Sequence, residues 1–85
     1  SYDSLIKKKQ CMKKIQDLRF NLTEDMNNMM IELLITQQML KDDRIDKEDK
    51  ILLENHKQEL MKEFTNEFKK NNTKEIKQYN ELMNK

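Results

Sequence analysis

The chain has no glycine, no proline and no tryptophan among its 85 residues. An ordinary domain carries roughly 7% Gly and about 5% Pro, because turns need them. Without them most of the usual turn chemistry is gone. Valine is missing too, and sheets are built largely from β-branched and aromatic residues. Helix is the regular structure this composition serves, so the predicted class is all-α. The lack of glycine also excludes phosphate-cradling loops and dinucleotide-binding turns, whose backbones need it.

Cysteine and histidine are almost as scarce, one of each. Cys11 has no partner for an internal disulfide, which points to a reducing, intracellular compartment, cytoplasmic or nuclear. His56 lies far along the chain from Cys11, so the pair offers no nucleophile with its base. One Cys and one His are too few for a zinc centre. His56 and Glu59 reverse the Glu-x-x-His order of di-iron bundles and lack the accompanying inward glutamates. They read as a solvated helix face. No catalytic residue, metal ligand, cofactor or small-molecule substrate is predicted, and the chain is not expected to be an enzyme. Long apolar runs are also missing: the richest, residues 29–35, is interrupted by Glu32 and too short to span a bilayer. No signal peptide is recognisable. The start at Ser1 rather than Met suggests a segment of a longer protein.

What the chain has in quantity is charge, 39% of residues against 35% hydrophobic, at a net charge of +1. Such a balance can mean disorder, but the apolar residues are not scattered. Every seventh residue from Leu5 reads Leu5, Met12, Arg19, Met26, Leu33, Leu40; three further on stand Lys8, Ile15, Leu22, Met29, Thr36. Eight of these eleven positions are apolar. That three-four step draws one stripe along a helix and asks for a facing helix to cover it. From Met26 onward Met30, Ile31, Leu34, Ile35 and Met39 widen the stripe, as in an inner element of a bundle of three or more helices.

The run Lys41–Lys50 is the one candidate linker, with Ile45 its sole apolar residue. Asp46 followed by Lys47, Glu48 and Asp49 reads as an N-cap with acids in the first turn. The predicted organisation is a single helical module. Helix one covers about 3–41, a turn about 42–46 and helix two about 47–84, with a kink near 70–73 where Asn72-x-x-Glu75 can restart the helix. The segment from Asn21 through Thr23 to Asp25 is a possible internal cap, but the seam crosses it in register, so helix one is read as continuous. Folded at the turn, two helices of about 36 and about 38 residues, each more than about 50 Å long, make a long antiparallel hairpin or coiled coil. A two-helix layer of this size is marginal on burial alone, so assembly into a multi-helix bundle is expected.

The helix–helix interface is therefore assigned to Leu5, Met12, Ile15, Leu22, Met26, Met29, Leu33, Leu40, Leu53, Leu60, Phe64, Phe68 and Leu82. Expected partners are the chain itself, as a homodimer or higher oligomer, and another helical protein. The expected function is a non-enzymatic coiled-coil module that oligomerises or scaffolds subunits of a larger complex. Charge distribution supplies an alternative. Residues 1–19 hold six Lys or Arg against two acids, and residues 69–85 hold five against two. Lys7, Lys9, Lys13 and Lys14 could thus form a basic docking surface for nucleic acid, anionic lipid or an acidic protein. Aromatic residues for base stacking are nearly absent beside them, Tyr2 and Phe20 being the nearest. The bulky apolar residues a membrane would want opposite the lysines are few.

Overall fold

The computed structural model describes residues 1–84, and within them the chain is all-helical. Four helices follow in order: α1 (Tyr2–Asp17), α2 (Glu24–Leu40), α3 (Lys47–Asn71) and α4 (Thr73–Met83). They form two compact units. One comprises Ser1–Asn21 together with the chain from Asn72 onward; the other is Leu22–Asn71.

The two long arms of a hairpin are not formed. Helix one as read from sequence is two helices, because the chain leaves the helical path after Asp17 and re-enters at Glu24. Local chemistry explains the break. Leu18 turns to an extended conformation (φ −62°, ψ 140°). The Arg19 guanidinium donates to the Gln16 carbonyl at 2.7 Å and the Leu18 carbonyl at 2.9 Å, serving acceptors that a continuing helix would have used. Thr23, also extended, accepts the Met26 N–H on its Oγ1 at 3.1 Å, and Glu24 and Asp25 occupy the positive end of the new helix. A cap of this kind stabilises a helix start by about 1 kcal/mol. Heptad spacing carried in register over a break looks the same as spacing along one rod.

In the Leu22–Asn71 unit, α2 and α3 pack together. Their contact follows the three-four step on both sides. The least exposed residues of α2 are Met26, Met29, Leu33, Thr36 and Leu40, with Gln37 beside them, and Met26 is wholly buried (0%). On α3 they are Lys50, Leu53, Lys57, Leu60, Phe64, Glu67 and, one turn on, Asn71, with Leu60 the most buried. Phe68 is half-buried and stacks on Phe64, ring centroids 6.2 Å apart. Lys50, Lys57 and Glu67 are half-buried, as long charged side chains are when their aliphatic stems cover apolar surface and the charge stays in water. Thr36 satisfies its buried hydroxyl by donating to the Glu32 carbonyl at 2.8 Å.

Between α2 and α3 the chain turns over residues 41–46. Asp42 accepts from the Arg44 backbone N–H at 3.0 Å and pairs with the Arg44 guanidinium at 2.7 Å. That pairing holds the Asp42 carboxyl below its ordinary range and raises the guanidinium. Asp46 caps α3, accepting the Asp49 N–H at 2.9 Å. A side-chain turn of this sort closes the loop without glycine.

In the other unit α1 and α4 are in contact, running in opposite directions, and Cys11, Ile15, Leu18, Ile76 and Leu82 are its half-buried apolar residues. Asn72, read from sequence as a helix restart, is the N-cap residue of α4, but its side chain makes no cap hydrogen bond. Its amide is engaged elsewhere: Oδ1 accepts the Asn21 N–H at 2.6 Å and Nδ2 donates to the Asn21 carbonyl at 3.0 Å. One fully buried side chain (0% exposed) thus serves both backbone groups of a residue 51 positions away. Glu75, the other half of that restart signal, accepts from the Asn21 side chain at 3.4 Å.

Asn72→Leu fills similar space but removes both hydrogen bonds to the Asn21 backbone. Each such bond contributes about 0.5–1.5 kcal/mol net, so the variant should melt below the parent, and the Asn21 amide should exchange faster. Equal melting temperatures by circular dichroism would show that the amide bridge contributes nothing.

Candidate functional site

A single helix can turn only part of its circumference toward one neighbour. In α2 apolar residues stand on every side, nine among seventeen. With Met26, Met29, Leu33 and Leu40 turned to the α2–α3 seam, the remaining five are left on the surface. Leu34 is 69% exposed, Ile35 56% and Ile31 49%; Met30 and Met39 are also exposed. Basic residues are absent from α2, and its acids Glu24 and Asp25 are confined to the first turn, leaving Glu32 as the one charge farther along. The outer side of α2 therefore carries five exposed apolar side chains and little charge.

That side continues into a groove beside α3, where Met30, Leu33 and Leu34 meet Met61, with Gln37 and Lys57 at the margin. A second hollow near the turn is lined by Met39, Ile45, Leu52 and Leu53, with Asp49 and His56. His56 does not join Glu59: its Nε2 lies 2.8 Å from Glu32 Oε1, linking α3 to α2. No group of three or more His, Cys, Asp or Glu side chains able to hold a metal occurs among the described residues. None of the described helices is long and apolar enough to cross a membrane.

The residues assigned to the interface from sequence separate into three sets. Met26, Met29, Leu33, Leu40, Leu53, Leu60, Phe64 and Phe68 lie on the least exposed side of α2 or α3, and Ile15 and Leu82 are half-buried in the α1–α4 unit. Leu5, Met12 and Leu22 are exposed. Leu22 sits in the non-helical connection, so no helix face carries it. Leu5 and Met12 share a side of α1 displaced by roughly a quarter turn from Cys11 and Ile15, by the 100° step of a helix. The broken helix removes the single stripe that would have joined them to Met26. Conversely, the interface list omits Met30, Ile31, Leu34, Ile35 and Met39. The widening of the apolar face at these positions was the available signal, and only the position of α3 shows that they are the uncovered part.

All five lysines of α1 are exposed. Lys7, Lys8 and Lys14 line a hollow of the α1–α4 unit whose apolar side chains are Met12, Ile15, Leu82 and Met83, with Cys11 among them; Lys9 and Lys13 do not line it. Comparison of the chain with protein-family models, curated proteins and solved structures finds no match.

Proposed function

We propose that the chain is a non-enzymatic helical assembly module, working in a reducing intracellular compartment, that joins subunits by packing helices against the outer side of α2. The observation that carries this reading is the exposure of Ile31, Leu34 and Ile35 together on a helix already covered on its other side. Covering them adds a further helical layer, the architecture of a coiled-coil bundle. Each such side chain contributes about 1.5–3 kcal/mol when taken fully from water, enough in combination to hold a helical partner.

Adjacent leucines provide the test. Leu34→Asp alters the outer face, so sedimentation equilibrium should show association weakened by about a hundredfold or more, since an unpaired charge in a dry contact costs several kcal/mol. Its helicity should stay at the parental level. Leu33→Asp strikes the seam with α3 and should lose helicity instead. A parent chain that sediments with the mass of one copy at every concentration contradicts the reading, as does a Leu34→Asp chain that associates as strongly as the parent.

A second reading follows from the hollow in the α1–α4 unit, where three lysines surround an apolar floor. That combination suits an acidic amphipathic helix, whose apolar residues would fill the floor and whose carboxylates would meet the lysines. Replacing Lys7, Lys8 and Lys14 by Gln should weaken capture of an acidic amphipathic peptide at low salt and remove most of its salt dependence. Replacing Lys9 and Lys13 should do much less. Equal effects from the two sets would leave only a diffuse basic surface.

A further inference from the structure

The outer stripe of α2 reads nearly the same in both directions. Its positions are Glu24, Asn27, Ile31, Leu34, Gln38 and Lys41, all exposed. The intervals are three, four, three, four, three, so the series superposes on itself when reversed. Reversal places Glu24 opposite Lys41, Asn27 opposite Gln38 and Ile31 opposite Leu34. Each layer is then matched in kind: acid with base, amide with amide, apolar with apolar. The flanking residues obey the same rule, because Met30 falls opposite Ile35.

From this self-complementarity we infer that the occupant of the outer face of α2 is a second copy of the same chain, with the two α2 helices antiparallel about a two-fold axis between residues 32 and 33. The inference rests on the assembly reading above and specifies its partner. In a two-fold contact the same patch meets itself, so a residue i facing j requires j to face i. The three-four spacing reverses onto itself in any such stripe; the pairing of acid with base, amide with amide and apolar with apolar is what this sequence adds. In antiparallel coiled-coil packing, the first core position of one helix meets the second of the other, which is how Ile31 and Leu34 are related here. A parallel pair in register would instead set Glu24 beside Glu24 and Lys41 beside Lys41, and would align the two helix dipoles unfavourably.

The local charges are free to make the exchange. Among the described residues neither Glu24 nor Lys41 forms an ion pair within its own chain. Each copy brings α3 on the far side of its α2, so the contact region is a layer of four helices, the two α2 elements inside and the two α3 elements outside. The contact along α2 runs about 26 Å at 1.5 Å per residue. That is short of a standard-sized interface of about 800 Å² per partner unless the flanking groove at Met61 is also covered. The dimer should therefore be reversible and concentration-dependent, with the apolar centre giving affinity and the ends giving register.

Disulfide trapping on the full chain tests direction and register. In a Cys11→Ser background, Asn27→Cys chains are mixed with Gln38→Cys chains under mild oxidation. The mixture should cross-link about tenfold faster than either variant alone, because a disulfide forms only where Cα atoms come within about 7 Å. A charge exchange provides a second readout. Glu24→Lys and Lys41→Glu chains should each self-associate less than the parent, while their equimolar mixture should regain the lost association. Rapid cross-linking of the Asn27→Cys chain with itself overturns the antiparallel register. An associated parent whose mixture does not cross-link shows that a different face or a different occupant is involved, leaving the assembly reading intact. A parent that is monomeric throughout removes both.

Discussion

Helix α2 carries apolar side chains around nearly its whole circumference, and a single packed neighbour covers only one side of it. That geometric limit organises the Leu22–Asn71 unit. The seam with α3 takes the residues at three-four spacing from Met26 to Leu40, with Met26 and Thr36 at its most buried points. What is left over, Met30, Ile31, Leu34, Ile35 and Met39, is too apolar and too contiguous to be incidental surface. The same side chains that make α2 a good core helix leave it half-covered in a unit with one other helix to pack on it. One sequence feature, the widened stripe, thus supplies both the seam with α3 and the exposed apolar side chains opposite it.

The second constraint is hydrogen-bond accounting where the helices stop. With no glycine or proline to shape its connections, the chain uses polar side chains instead. Thr23 and Asp46 cap helices, Arg19 and Arg44 serve a carbonyl or carboxylate, and the buried Asn72 amide imitates a backbone partner for Asn21. Each satisfies groups that would cost free energy if left bare. The Asn72 pairing joins residues 51 positions apart and lies inside the unit that Ser1–Asn21 forms with the chain from Asn72 onward.

The helical class was legible because composition left no competitor, and the side chains of the α2–α3 seam were legible because heptad spacing is a direct image of a helix contact. The interruption at residues 18–23 was not resolved by periodicity, since Met12, Arg19 and Met26 keep a seven-residue step whether or not the backbone between them is helical. Thr23 with Glu24 and Asp25 was the better witness, as a cap followed by acids. Asn72, read from sequence as a helix restart, is the N-cap residue of α4, but it spends its amide on Asn21, a choice visible only in three dimensions. The outer face of α2 was present in the sequence as a widening, but which residues would be covered and which left over depended on the placement of α3. Leu5 and Met12 are exposed on α1, and with the helix broken after Asp17 no continuous stripe joins them to Met26.

Association through this face would join a small helical unit to its partners by apolar packing, with charge reserved for register at the ends of the contact. The most direct measurement is a dilution series followed by methyl NMR on the labelled full chain. The Ile31, Leu34 and Ile35 methyl resonances should move with concentration while those of Leu40, Leu53 and Leu60 stay fixed, since one set lies on the association face and the other in the seam between α2 and α3. Outer methyls that stay in place from micromolar to millimolar chain, or both sets moving together, would contradict the division of α2 into a covered side and an associating side.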